Sequence, residues 1–382
     1  MSRAYLDHAS TTPTRPEAAD ALHRWLTLPA ADPGRLHEEG RIVRDALEEA
    51  RVAVADLVGA IPREVVFTSG ATEAINAAAF GATRRSPGAP VLLAGVEHSA
   101  VREASARWAP IELLAVDHSA RLDVDALAAR LADTTVARPA LVHCQWANHE
   151  VGTLQPVGEV AALCRDAGVP LHIDAAAACG HVPMDLGTLE ADLVSLSAHK
   201  LGGVPGAGAL IVRRGSRFEP LLIGGEQERA RRAGLEALPA LLAFGAACGA
   251  LAADGGALLR AEAASARALL DQLEATAFEV GGVELVGPPD PASRLAHLTC
   301  LGVSGVEAEP VLIGLDRAGV AVHSGSACSS ESVEPSPVLE AMGVDPSHSL
   351  RVSVGWSTTE GDVAAFAEAF PAVVASLRDL RN

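Results

Sequence analysis

A lysine beside a histidine, at the end of an apolar run and ahead of a glycine-rich turn, is a candidate for amine chemistry. Ser195-Leu196-Ser197-Ala198-His199-Lys200-Leu201-Gly202-Gly203 has this form, and Lys200 could form a Schiff base with a carbonyl. A solvated lysine at a strand terminus is the commoner fate of such a residue, so the surrounding motifs decide. Leu171-His172-Ile173-Asp174-Ala175-Ala176 ends an apolar strand in one acid. A buried carboxylate there needs a cationic partner, and a protonated pyridine nitrogen, as in a pyridoxal cofactor, would supply it and make the ring an electron sink. Taken alone, Asp174 reads equally well as a helix N-cap. Ser69-Gly70-Ala71-Thr72 opens a helix directly after a strand, where backbone N–H groups and the Thr72 hydroxyl can hold a phosphate or simply cap the helix. Val96-Glu97-His98-Ser99 follows another strand, and His98 could stack on a flat ring and pass protons, or be a satisfied structural histidine. Finally, His323-Ser324-Gly325-Ser326-Ala327-Cys328-Ser329-Ser330-Glu331 sets one thiol among small residues, a composition that suits a nucleophile that must travel, or else a surface loop with an incidental cysteine.

These motifs need a scaffold that brings strand ends together. Residues 37 to 58 show apolar positions at helical spacing, stopped by Gly59. Glu64 to Thr68 reads as a strand and Ala74 to Phe80 as a helix. Further strands are expected near residues 90–94, 111–116, 140–144, 171–173, 193–197 and 209–212, with helical segments between most of them. Apolar strands alternating with helices indicate an α/β fold with a mostly parallel sheet covered on both faces, and ligands bind beyond the carboxyl ends of such strands. A long Ala/Leu/Arg helix is expected over Ala257 to Ala277, followed by a smaller α+β portion, with surface loops at residues 84–90 and 287–293.

Composition narrows the function classes. The chain has 382 residues, 49% hydrophobic and 20% charged, enough to bury a large core in one or two domains. A net charge of −18 disfavours direct nucleic-acid binding. The alanine-rich run from 240 to 252 is broken by Gly245 and Gly249 and is too short to span a bilayer, and no apolar leader opens the sequence, so a cytoplasmic protein is expected. The six cysteines (Cys144, Cys164, Cys179, Cys248, Cys300 and Cys328) lie far apart with no C-x-x-C pair, so neither a zinc site nor a redox dithiol is expected. All but Cys328 sit in apolar or helical surroundings, where a thiol behaves as a small hydrophobe.

Taken together the segments resemble the NifS-like (group I) cysteine desulfurases, in the class V aminotransferase-like branch of fold-type I pyridoxal-phosphate enzymes. The resemblance runs from Tyr5-Leu6-Asp7-His8-Ala9-Ser10-Thr11-Thr12-Pro13, through Phe67-Thr68-Ser69-Gly70-Ala71-Thr72-Glu73 and the Asp174 and Lys200 segments, to Leu350-Arg351-Val352-Ser353-Val354-Gly355. It implies a large domain (13–250) around a mostly parallel sheet of the seven-stranded type, and a small α+β domain (1–12 and 251–382) carrying the cysteine segment. It further implies pyridoxal 5'-phosphate on Lys200, Asp174 on the pyridine nitrogen, and His98 on the ring face. Ala71, Thr72, Ser197 and His199 would hold the phosphate, Arg351 and Asn148 would bind substrate, and Cys328 would take sulfur from L-cysteine as a persulfide, leaving alanine. The sulfur would pass to an acceptor protein: an iron–sulfur scaffold, a tRNA-thiolating enzyme or a biosynthetic sulfur carrier. A homodimer with a composite site is implied. Selenocysteine lyase or another carbon–sulfur lyase is the alternative on the same fold, and a non-catalytic scaffold a third, although the retained thiol favours the desulfurase.

Three positions depart from the family pattern. Asn148-His149-Glu150 stands where Asn-Asn-Glu is usual, Ala177 where a glutamine is usual, and Ala233-Gly234-Leu235 where Ser-Gly-Thr is usual. His149 is expected to take over a contact to the cofactor's phenolic oxygen, Ala177 to leave a gap that raises the Schiff-base pKa, and Leu235 to lack the phosphate hydrogen bond that a threonine would give a neighbouring subunit.

Overall fold

Apolar, largely β-branched runs make the strands, and amphipathic segments with clear stop signals make the helices that cover them. A computed structural model describes residues 3–27, 31–324 and 335–380 of the chain, and Cys328 lies outside them. The first half runs β1 (Ala4–Tyr5), α1 (Pro16–Leu26), α2 (Glu38–Val58), β2 (Val65–Thr68), α3 (Ala71–Thr83), β3 (Val91–Ala94), α4 (Ser99–Trp108), β4 (Ile111–Leu114), α5 (Val124–Ala132), β5 (Leu141–Gln145), α6 (Val157–Ala167), β6 (Leu171–Asp174), β7 (Leu193–Ser197) and β8 (Gly208–Val212). The second half runs α7 (Gln227–Ala230), α8 (Leu238–Glu279), β9 (Val283–Leu285), β10 (Leu298–Val303), α9 (Ala308–Arg317), β11 (Val320–Ala321), α10 (Pro337–Ala341), β12 (Ser349–Ser353) and α11 (Glu360–Asp379).

The expected α/β architecture is present. The main sheet has seven strands in the order β2-β8-β7-β6-β5-β3-β4. β8 alone is antiparallel to its two neighbours. The carboxyl ends of β2, β3, β5, β6 and β7 therefore share one edge with the amino end of β8, and the Gly70, His98, Asn148, Asp174 and Lys200 motifs lie at or follow those carboxyl ends. Phe67, Leu92, Val142, Ile173 and Leu196 belong to the large core around this sheet, while Leu6, Leu270, Val352, Phe366 and Phe370 form a second core about β12-β10-β9.

The helix expected over Ala257 to Ala277 is present as the second stretch of α8, which ends at Glu279. α8 begins at Leu238 and takes in the alanine-rich run, with a break of non-helical backbone at Ala253–Gly256. By length and composition this helix is apolar enough to cross a membrane. Its first half instead buries Leu241, Phe244, Ala247, Cys248 and Leu251 in the large core, among residues of α1 and α2.

Candidate active site

The strand ends enclose a cavity of about 500 Å³, whose walls include Lys200, Asp174, His98, His149, Ser197, His199, Ala71, Thr72 and Arg351. Eleven candidate residues were singled out by sequence; these nine line one cavity, Asn148 does not, and Cys328 is outside the described residues.

Lys200 follows β7 and is the only lysine in the chain. Its turn is clamped by the N-terminal segment: Thr12 N–H donates to the His199 carbonyl (3.1 Å) and Arg15 N–H to that of Gly202 (2.8 Å). Arg15 also donates to the Leu201 carbonyl (2.7 Å) and forms a two-pronged ion pair with Glu262 (2.5 and 2.6 Å). Asp174 closes β6 and is buried. No helix follows it, so it is not an N-cap; its Oδ1 instead accepts from Ala176 N–H and Ser195 Oγ, both at 3.0 Å. That arrangement fixes the carboxylate with one oxygen left over.

At the opposite wall, Gly70 is the N-cap residue of α3 and supplies no side-chain cap. Its φ of 155° and ψ of 177° lie in territory kept almost entirely for glycine, and the first-turn N–H groups that follow lack intrahelical acceptors. Gly208 packs against this turn so closely that an added Cβ would lie 2.6 Å from Gly70 Cα. The strands between hold Ser197 and Thr68 on either side of Gly208. His199 accepts or donates to Thr11 Oγ1 at 3.1 Å, and burial, then Lys200, lowers its pKa. Glu73 lines the same wall. Burial raises the pKa of its carboxyl, but Arg232 at 2.9 Å and the Ser69 N–H hold it below the ordinary value.

His98 caps α4, its Nδ1 accepting from Ala100 N–H at 3.1 Å, so Nε2 carries the proton in the neutral ring. Burial, reinforced by His149, lowers its pKa to about 4. The His149 ring meets it edge-on, centroids 4.9 Å apart at 68°. Arg351, on β12, is buried and bridges three partners: Asp7 (3.0 Å), Ser10 Oγ (2.6 Å) and the His149 carbonyl (3.0 Å). Its Nε is buried without a partner among the described residues.

Asn148, expected to bind substrate, faces inward instead. Its amide donates one N–H to the Val96 carbonyl (3.2 Å), and its oxygen accepts from Glu150 N–H and Val151 N–H, which leaves one N–H of the amide for a further partner. The described flanks of the cysteine segment nevertheless reach the site. His323 exchanges backbone hydrogen bonds with Arg351, and Ser336 donates to Glu150 at 2.5 Å. The five described cysteines are all buried. Burial pushes the thiols of Cys164, Cys179 and Cys300 up to about 12, which keeps them protonated and unreactive.

Two acids had no assigned role in the sequence. Glu97 accepts from Gln145 N–H at 2.7 Å, clamping the end of β3 to that of β5, and burial, then Asp174, raises its pKa to about 8. Glu150 is likewise raised to about 7, chiefly by burial. Their neighbours in sequence, His98 and His149, are the only local signal that could have marked them.

The chain is similar over nearly its whole length to known proteins. The family model described as "Aminotransferase class-V" matches residues 4–366. A cysteine desulfurase of Cereibacter sphaeroides is 39% identical, over 100% of this chain and 98% of the relative. An IscS-like cysteine desulfurase of Mycobacterium tuberculosis is 38% identical, over 98% and 97%. Among solved structures, a NifS-like protein from Rickettsia africae superposes with a TM-score of 0.87 at 26% identity, covering 98% of this chain and 99% of the other.

Proposed function

Because the chain belongs to the class-V aminotransferase family, we infer that it is a pyridoxal-phosphate-dependent cysteine desulfurase that converts L-cysteine to L-alanine and carries the sulfur on Cys328. The observation that carries this reading is the convergence of the chain's only lysine with Asp174, His98 and Arg351 on one cavity. The donor set fits the cofactor: a glycine-built helix N-terminus with Ser197 and His199 for a phosphate, a half-satisfied carboxylate for a ring N–H, and an imidazole beside them. When bound, pyridoxal phosphate supplies an electrophilic carbonyl carbon and an electron-withdrawing ring.

The protein's own residues do the rest. Lys200 would hold the cofactor through its amine and, with that amine released, would serve as a base within the cavity. Asp174, fixed by Ser195 and Ala176, would offer its remaining oxygen to a ring N–H. His98 presents Nε2–H and, kept neutral by burial, can donate a hydrogen bond into the cavity from that nitrogen. The Arg351 guanidinium offers a planar fork for a carboxylate, although Asp7 and Ser10 already hold one of its nitrogens. Cys328 is the nucleophile by elimination, since every described thiol is buried.

A homodimer in the cytoplasm, delivering sulfur to an acceptor protein, completes the reading. Leu222, Ile223 and Leu235 are 42, 83 and 60% exposed, an apolar concentration in one segment that suits a subunit contact. The deciding experiment incubates cofactor-loaded protein with L-cysteine and a reductant, beside Cys328→Ala. Equal alanine and sulfide, lost in the variant, are expected; sulfide with pyruvate, or activity that survives the substitution, would establish a lyase instead.

A further inference from the structure

Each carbonyl from His199 to Gly202, along the turn that carries Lys200, accepts a hydrogen bond from elsewhere in the chain. The His199 and Gly202 carbonyls are held by the backbone N–H groups of Thr12 and Arg15 (3.1 and 2.8 Å), and that of Leu201 by Arg15 Nε (2.7 Å). The Lys200 carbonyl itself lies 3.0 Å from His181 Nε2. A carbonyl can only accept, so Nε2 carries the proton and donates it. Burial lowers the His181 pKa to about 4, so at neutral pH the ring is uncharged and that proton is the only one it holds.

His181 stands in the loop that follows Asp174 on β6, and this loop is pressed against the Lys200 turn: a Cβ added at Gly180 would lie 2.5 Å from Leu201 Cβ. The His181 ring is stacked on that of His297, which precedes β10, with centroids 3.7 Å apart and an angle of 20° between the planes. Lys200, Leu201, His181, His297, Arg15 and Glu262 border a gap of about 20 Å³, room for roughly one water. Packing leaves this space open, and the bonds to the carbonyls fix the turn beside it.

We propose that His181 is a positioning residue: its Nε2–H, with the ring braced by the stack on His297, fixes the backbone of Lys200 and so places the amine in the cavity. One loop then carries Asp174 at its start and holds Lys200 through His181, which keeps the carboxylate and the amine at a set spacing. This rests on the pyridoxal-phosphate reading only for the identity of what the amine meets.

The test compares two ligands. Pyridoxal 5'-phosphate can bind through its phosphate, its ring and the Lys200 amine, whereas 4'-deoxypyridoxine 5'-phosphate lacks the aldehyde and cannot react with the amine. His181→Phe keeps a ring for the stack and removes the donor. It should raise Kd for pyridoxal phosphate about 5- to 10-fold, the effect of one lost hydrogen bond, and leave Kd for the deoxy analogue within about twofold of wild type. His181→Gln, which again presents an N–H donor, should restore most of the affinity. A defect of structure alone would weaken both ligands alike and would not be rescued by glutamine; that outcome overturns the proposal, as does wild-type selectivity in His181→Phe. Should the phenylalanine variant not fold, His181→Ala makes the same comparison. Amide hydrogen exchange across residues 199–203 of the cofactor-free protein needs no ligand. It should quicken in His181→Phe and return toward wild type in His181→Gln, and unchanged exchange overturns the proposal too. If the wild type takes up neither ligand while the exchange pattern holds, the pyridoxal-phosphate reading fails and the hold of His181 on Lys200 stands.

Discussion

Gly208→Ala should weaken cofactor binding although residue 208 contributes no side chain to the site. Gly208 sits on β8, level with Thr68 on β2 and Ser197 on β7. An added Cβ would lie 2.6 Å from Gly70 Cα, 2.6 Å from the Leu196 carbonyl oxygen and 2.7 Å from Gly70 C. All three are backbone atoms, so no side-chain rotation relieves the clash. The sheet is held by ladders on both sides of β8, which leaves the Gly70 turn as the part that yields. Overpacking of this kind costs about 1–3 kcal/mol. If the turn must return to its native position to hold the phosphate, the whole cost falls on binding, and Kd for pyridoxal phosphate rises about 5- to 150-fold. If the turn cannot move, the cost appears as a lower Tm of the cofactor-free protein. Absorbance titration of dialysed protein together with thermal denaturation measures both. Gly158→Ala, where a Cβ meets nothing within 4 Å, serves as the neutral control. Wild-type Kd and wild-type Tm together in Gly208→Ala would refute the claim that this glycine pair shapes the phosphate wall.

Three further outcomes follow from the same geometry. Ala177→Gln places an amide donor at the cavity wall, where it should lower the pKa of the Lys200-linked chromophore by about one unit or more in a spectrophotometric titration; an unchanged pKa would show that Ala177 leaves no gap there. Glu97 binds its proton more tightly when folded, with a pKa of about 8 against 4.5 for an ordinary glutamate, so the folded state retains a proton that the unfolded chain releases. Its contribution therefore favours folding at low pH and is lost as pH rises from about 4.5 to 8, on the order of 3 kcal/mol by neutral pH. Glu97→Gln should flatten the decline of Tm across that range, and parallel wild-type and variant curves would sink the assignment. Glu228 is buried, accepts two hydrogen bonds from Arg51 (2.7 and 2.9 Å) and one from Phe67 N–H at the sheet edge (2.9 Å). Glu228→Ala should cost about 1–3 kcal/mol because it leaves Arg51 with only Glu48 and the Val65 carbonyl, both at 3.0 Å, as partners, while the double variant Arg51→Met/Glu228→Leu should recover most of the loss in denaturant unfolding.

What could be read from the sequence was local. Period, caps and stop residues located α2, whose Gly59 C-cap takes a left-handed φ of 66°, and the main-sheet strands to within a few residues. Motifs at strand ends stood out because strand, tight turn and helix are neighbours in the chain, which is why Lys200, Asp174, His98 and the Gly70 turn were all found. α8 was only half visible. Its alanine-rich first turns lack the polar face that marks an amphipathic helix, since Phe244 and Leu251 bury one side while small alanines cover the rest. Asn148 shows the opposite failure. A polar residue beside the site was expected to face the ligand, but two backbone N–H groups of its own turn claim its oxygen.

The parts that escaped the sequence are contacts between distant segments. Arg351 meets Asp7 across 344 positions, Arg15 meets Glu262 across 247, and Ser336 meets Glu150 across 186. Nothing local distinguishes Glu97 or Glu150 from a solvated acid; each becomes a buried, proton-holding group only when other elements close over it. That burial gives the site its internal logic. Asp174 lies close enough to Glu97 to help that acid keep its proton, and Arg351 reaches both Asp7 and the carbonyl of His149, next in the chain to Glu150. A substitution at position 149 or 177 therefore changes the cavity wall directly, whereas one at Glu97 or Glu150 changes the charge balance behind it. The pH profile of the chromophore, rather than turnover alone, separates the two kinds of effect.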